Sequence, residues 1–312
     1  MENIKDLFEQ FIKHKRTEGH APMTLKNYRE HFNLLMEFKP DLELKDLTEK
    51  TMVEFFEYRD TRERAVGKEK VVRQLKNSSK ATAMGKLSSF FTWLADDKRK
   101  CIESNPFEKI NYPNVEYTDK RALTLDEIYK ILNVINNEMR WQNLLLKKRN
   151  VAMINFLLFT GVRKGELLGL KLSDLDFKRK AIMIRGETSK SKTTRTIPMS
   201  FELVQYLEDY LRERADYKTE YLWVSNNDDR KFTEHGMKHF VEQLKGKTEI
   251  NCHLHRFRHT FAVNFYKQKS NIVALKKLLG HKTFKMTVSY LRSLDDEYVA
   301  QQMQEFRLAN FM

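Results

Sequence analysis

The chain has 312 residues, 41% hydrophobic and 12% aromatic, which exceeds one ordinary domain and is enough to fill two cores. Its formal net charge of +14 and pI near 9.5 point to a polyanionic partner, with nucleic acid favoured over an anionic membrane surface. No apolar run approaches the roughly 18 residues of a membrane span, and MENIKDLFEQ is neither basic nor apolar enough for a signal peptide, so a cytoplasmic protein is expected.

Cys101 and Cys252 are far apart and lack CxxC spacing, so neither a disulfide framework nor a structural zinc site is predicted. Residues 1–115 hold 22 Lys and Arg against 19 Asp and Glu, leaving 35 against 24 of the 57 and 43 in total for residues 116–312. The excess charge is therefore mainly C-terminal.

In chain order, Ile4, Leu7, Phe8, Phe11 and Ile12 recur at helical spacing. So do Tyr28, Phe32, Leu35 and Met36, and then Val53, Phe56 and Tyr58. Thr24 and Thr48 stand where N-caps of the second and third helices would, without completing a capping box. Residues 62–80 read as a basic loop, leading into a fourth helix that starts near Ser78 or Ser79 and carries Phe90, Phe91, Trp93 and Leu94. Lys68, Lys70, Arg73, Lys76, Lys80 and Lys86 face only Glu69 in this stretch, which makes them the N-terminal candidates for contact with a polyanion.

Periodicity fails between Lys98 and Arg121, where Asn105-Pro106 and Tyr112-Pro113 break helical geometry. A domain of residues 1–112, a linker of 113–121 and a second domain of 122–312 are expected. The second opens with Thr124 and Glu127 in capping-box spacing. An apolar helix over 151–159 follows, then strands at 181–185 and 195–199 joined by a polar, lysine-bearing tip. Helices are predicted over 201–214, 234–244, 256–267 and 272–279, with a last one near 297–308. The fold class is mainly α with a small β-sheet.

Three segments carry chemistry. In Thr160-Gly161-Val162-Arg163-Lys164-Gly165-Glu166, Gly161 can take positive φ and end a helix, leaving Arg163 held at the start of the next turn. An arginine so held can fork onto phosphate oxygens, and Glu166 can orient it or simply support the turn. In His255-Arg256-Phe257-Arg258-His259-Thr260-Phe261-Ala262, His255 and Arg258 share one helical face while Phe257 and Phe261 face the core. In Leu278-Leu279-Gly280-His281, Gly280 suits a helix C-cap, and the next helix carries Tyr290 back toward His281. Taken singly, a histidine on an apolar face or one of 12 tyrosines is usually structural.

In order and spacing these segments together resemble the tyrosine recombinases, or phage integrase family. TGVRKGELLGL resembles the first arginine box, HRFRHTFA the His-x-x-Arg box, and LLGH with Tyr290 the final box. The resemblance is strong over residues 120–292, while the N-terminal part is similar to the family's helical core-binding domain only in size and helical character. It implies a catalytic lysine in a hairpin turn. Counting back eight residues from Pro198 selects Lys190, with Lys192 as the alternative. Arg256 stands where many relatives carry an acidic residue, which should alter local pairing and not catalysis. His281 stands where some have tryptophan, implying a positioning and hydrogen-bonding role.

The resemblance further implies a reaction without metal or cofactor, in agreement with the lack of a GxxxxGK[ST] loop or a dense Asp/Glu cluster. Arg163 and Arg258 would neutralise a phosphodiester, His281 would hydrogen-bond a nonbridging oxygen, and Tyr290 would attack, with His255 as a proton acceptor and the lysine as general acid. The expected partners are double-stranded DNA with inverted-repeat core sites and three further copies of the chain in a tetrameric synapse. The C-terminal helix, ending at Phe306–Met312, would dock on a neighbouring subunit or fold back. The competing readings are a type IB topoisomerase and a DNA-binding protein without catalysis.

Overall fold

A computed structural model describes residues 3–66, 69–72, 74–115, 122–188, 193–226, 229–292, 294 and 298. The chain divides into two units, Met1–Thr118 and Asp119–Met312, and is mostly helical.

In the first unit, α1 (Ile4–Thr17), α2 (Pro22–Phe38), α3 (Glu49–Thr61) and α4 (Asn77–Ala95) enclose an aromatic core. Phe8 stacks on Phe32 with centroids 3.8 Å apart, and the edge of Phe90 meets both rings. The five apolar positions predicted on α1 are all buried. Thr48 caps α3 by accepting from the Thr51 N–H at 3.2 Å, whereas Thr24 lies inside α2. There Pro22 opens the helix, because its fixed φ suits the first helical position and its missing N–H costs nothing there. On α3 the core face is Met52 and Phe55, while Val53 is exposed, one position off the predicted face.

The stretch read as a basic loop contains a hairpin. β1 (Glu63–Val66) pairs antiparallel with β2 (Glu69–Val72), with Glu63 opposite Val72 and Val66 opposite Glu69. Four-residue strands studded with Glu, Arg and Lys show too little alternation to be read. The region between Lys98 and Val115 is irregular, as its prolines predict, yet it packs on the first unit. The Asn105 amide donates to the Ser88 carbonyl and to the Ser88 and Thr92 hydroxyls on α4, and Phe107 is buried against Phe91.

In the second unit, α6 (Leu144–Thr160) is buried on nearly all sides and packs against α8 (Phe201–Glu213) and α10 (Leu254–Lys269). α5 (Leu125–Asn133) precedes it and carries the predicted capping box. The Thr124 hydroxyl accepts from the Glu127 N–H, and the Glu127 carboxylate from the Thr124 N–H.

β3 (Leu175–Asp176), β4 (Ala181–Ile184) and β5 (Arg195–Pro198) form an antiparallel sheet in that order, with Ile182 opposite Ile197 and both buried. The two-residue β3 is too short to register as a strand in sequence. α7 (Lys164–Gly169), α9 (Glu234–Thr248), α11 (Ile272–Leu279) and α12 (Phe284–Leu291) complete the unit. Caps at Asn143, Ser200, Thr233 and Asn271 start α6, α8, α9 and α11 by accepting a backbone N–H from the first turn. The predicted helix near 297–308 lies outside the described residues, apart from Tyr298.

Candidate active site

Four segments meet at the turn that ends α11. Gly161 ends α6 in the left-handed conformation, at φ 60°. That sharp stop makes Arg163 the residue preceding α7. There the Glu166 carboxylate accepts from its backbone N–H at 2.8 Å and its Nη1 at 3.1 Å.

Arg258 projects from α10 and is 1% exposed. Its Nη1 donates to the Gly161 carbonyl at 2.6 Å, and its Nη2 donates to the Leu279 carbonyl at 2.8 Å and to His281 Nε2 at 2.9 Å. Arg163 Nη1 reaches the same Leu279 carbonyl at 3.4 Å. Burial, and then the neighbouring Arg163 guanidinium, pull the Arg258 pKa down to about 10, still a cation at neutral pH.

Gly280 ends α11 at φ 63° and turns the chain so that His281 enters the same pocket. A guanidinium N–H can only donate, so His281 Nε2 is the acceptor and Nδ1 carries the proton, which it gives to the Thr287 hydroxyl at 3.0 Å. Burial, and then the cations Arg258, Arg163 and Arg195, hold the His281 pKa at about 3, so the ring is neutral. Tyr290, on α12, stacks on His281 with centroids 5.4 Å apart at 22°. Its other neighbours are the His259 ring at 5.5 Å and Arg258, which also hydrogen-bonds its side chain.

Two guanidiniums, a neutral imidazole and a phenol are thus assembled around one carbonyl. Residues 121–297 of the chain match the phage integrase family over more than half its length, and residues 3–112 match the phage integrase SAM-like domain. The chain belongs to the phage integrase family.

Among its relatives, this integrase-family chain is 28% identical over 298 residues to a tyrosine recombinase of Pseudothermotoga lettingae, covering 95% of this chain and 96% of that protein. It is 26% identical over 308 residues to tyrosine recombinase XerC of Anoxybacillus flavithermus, covering 95% and 96%. In fold it is similar to the Tn1549 transposon integrase in complex with transposon right end DNA (TM-score 0.75, 18% identity, 98% and 99% covered). It is also similar to the XerH recombinase bound to a palindromic difH substrate (TM-score 0.66, 21% identity, 94% and 83% covered).

Of the residues singled out in this integrase-family sequence, Arg163, Arg258, His281 and Tyr290 are brought together. His255 is exposed on the first turn of α10, three residues before Arg258. Lys190 and Lys192 lie outside the described residues, as do Lys68, Arg73 and the side chain of Lys70. Lys76 is exposed before α4. Lys80 is tied to Asp60 at 2.5 Å, and Lys86 lies over the Tyr28 ring at 4.4 Å, so neither is simply a solvated cation.

Both His281 ring nitrogens already have protein partners, so a hydrogen bond to phosphate requires Arg258 to release Nε2. Arg256 meets Glu127 at the start of α5 at 2.6 Å.

Arg195, Thr287 and His259 belong to the constellation but were not foreseen. Arg195 forks onto Glu166 with Nη1 at 3.0 Å and Nη2 at 2.8 Å. Among the described residues no group of His, Cys, Asp and Glu is arranged to hold a metal ion, and no helix is long and apolar enough to cross a membrane.

Proposed function

We propose that this chain is a site-specific DNA recombinase that cleaves and rejoins DNA strands through a covalent 3′-phosphotyrosine at Tyr290. The observation that carries the reading is the convergence of Arg163, Arg258 and His281 on the turn at Leu279, with the Tyr290 ring stacked against His281.

A phosphodiester gains charge in its five-coordinate transition state, so donors that stay cationic are the first requirement, and the two arginines supply it. The Arg258 pKa is lowered by burial and then by the Arg163 guanidinium, and an anion arriving between the two relieves that repulsion. The Arg258 guanidinium lies 5.9 Å from the Tyr290 ring centroid and hydrogen-bonds its side chain. As the phenol oxygen attacks phosphorus its proton passes to His255. The bond from phosphorus to the 5′ oxygen breaks, and Lys190 protonates that oxygen. The phosphotyrosine keeps the energy of the broken phosphodiester, so a 5′ hydroxyl from another duplex reseals it without ATP.

The reading places residues 1–112 as a helical DNA-binding domain, 113–121 as a linker and 122–312 as the catalytic domain. Lys68, Lys70, Arg73, Lys76, Lys80 and Lys86 are assigned to the DNA backbone, with Lys80 and Lys86 first leaving Asp60 and Tyr28. The palindromic substrate of the XerH neighbour supports inverted-repeat sites, and four protomers would join two such sites in the cytoplasm.

The test uses a nicked duplex carrying the sequence that the protein selects from a random library. The wild-type chain forms a protein–DNA adduct that survives denaturation, and Tyr290→Phe binds the duplex without forming it. An adduct with Tyr290→Phe removes the assignment. Replacing Lys190 and Lys192 separately identifies the acid: loss of cleavage with Lys192 alone overturns the choice of Lys190.

A further inference from the structure

Arg195 has every nitrogen engaged. Nη1 and Nη2 fork onto the two oxygens of Glu166 at 3.0 and 2.8 Å, and Nε donates to the Leu278 carbonyl at 2.7 Å. Its side chain is 8% exposed and that of Glu166 is fully buried.

Glu166 also holds Arg163, but only through the backbone N–H and Nη1. All the side-chain hydrogen bonds of Arg163 to described residues use that one nitrogen, so Nε and Nη2 are left for a ligand. The sharing sets that geometry. A carboxylate and a guanidinium prefer the bidentate fork, and Arg195 already occupies the fork of Glu166.

The same guanidinium fixes the turn on its other side. A Cβ at Gly280 would lie 2.9 Å from Arg195 Nη1 and 3.1 Å from its Cδ, so the absent side chain is what lets Arg195 lie against the backbone there. The neighbouring Leu279 carbonyl receives Arg163 and Arg258, and His281 follows directly. Arg195 therefore touches both things that orient the cluster, the Glu166 carboxylate and the turn at residues 278–280.

We propose that Arg195 is a positioning residue for strand cleavage, which keeps Arg163 from collapsing onto Glu166 and clamps the turn that sets Arg258 and His281. This rests on the recombinase reading above. Without Arg195, the fork it occupies on Glu166 opens to Arg163, whose bidentate pairing there would withdraw the guanidinium from phosphate. The turn also loses its anchor at Leu278. The substrate itself need not touch Arg195.

Single-turnover cleavage of the selected nicked duplex, with affinity measured separately, tests this in the full chain. Arg195→Met should lower the cleavage rate on the order of 100-fold, the scale of a misplacement of about 1 Å, with affinity changed only a few-fold. Arg195→Lys, which keeps the charge but loses the fork, should fall between.

The double variant Arg195→Met/Glu166→Gln should cleave faster than Arg195→Met, because a neutral amide no longer draws Arg163 away. A residue that only supported the fold would give the opposite order. In the free protein, the Arg163 Nε–H resonance should move toward a hydrogen-bonded position in Arg195→Met.

A cleavage rate for Arg195→Met within threefold of wild type, or a double variant slower than the single one, overturns the proposal while leaving the recombinase reading intact. If Arg195→Met does not fold, the comparison of Arg195→Lys with Arg195→Lys/Glu166→Gln decides in the same way. Absence of wild-type cleavage refutes the recombinase reading instead, and the Arg163 resonance then tests the clamp alone.

Discussion

Gly161→Ala tests how the end of α6 builds the site. The residue sits at φ 60°, where an L side chain costs about 1–2 kcal/mol. The added Cβ would lie 2.4 Å from Cδ1 and 2.9 Å from Cγ of Phe261, and 3.2 Å from Cδ2 of Leu279. Those atoms belong to the packed cluster of Phe261, Ala262, Leu275 and Leu279, and forcing such a core apart costs about 1–3 kcal/mol more. The sum is about 2–5 kcal/mol. With a urea slope near 2–3 kcal/mol per molar it corresponds to a midpoint lower by roughly 1–2 M.

The Gly161 carbonyl also holds Arg258, so cleavage should fall along with stability. Gly246→Ala is the matched control. It lies within α9, a Cβ there meets nothing within 4 Å, and the substitution should stabilise by about 0.5–1 kcal/mol. Urea unfolding is followed by tryptophan fluorescence in a Trp93→Phe background, so that Trp141 and Trp223 report the second unit. A Gly161→Ala loss below about 0.5 kcal/mol, no more than an ordinary surface substitution, would refute the reasoning.

His281 supplies a pH dependence. Its folded pKa is depressed to about 3 from an ordinary 6.5, so the unfolded chain takes up the proton first. Stability present above pH 6.5 is therefore lost as the pH falls toward 3, at up to about 1.4 kcal/mol per unit. Between pH 6.5 and 5 the wild type should lose stability more steeply than His281→Gln, and equal slopes would contradict the buried neutral imidazole. Arg256→Gln should cost about 0.5–1 kcal/mol, couple to Glu127→Gln in a double-mutant cycle, and leave the cleavage rate within about threefold. A larger drop in cleavage would place Arg256 in the site. Because the two arginines carry the charge neutralisation, cleavage should proceed equally in EDTA, and dependence on a divalent ion would count against the mechanism.

The motifs were legible where the chemistry is local. A glycine at positive φ ends a helix, so Gly161 and Gly280 place Arg163 and His281 at fixed turns through local geometry alone. The Thr124 and Glu127 box was readable for the same reason. What escaped was long-range. Arg195 is 29 residues from Glu166, and nothing in either segment says that a strand residue will fork onto a carboxylate of α7. The two nitrogen partners of His281 likewise depend on α10 and α12 meeting. The hairpin at 63–72 was hidden by charged residues in strands of four, and Pro22 outcompeted Thr24 because it fixes backbone geometry directly.

The central claim is that Tyr290 becomes covalently joined to DNA, and peptide mapping of the trapped adduct tests it most directly. After digestion of protein and DNA, the account predicts a nucleotide-bearing peptide modified at Tyr290 through a 3′ phosphate, with a free 5′ hydroxyl on the released strand. A modification on any other residue, or a 5′ phosphate linkage, would contradict it.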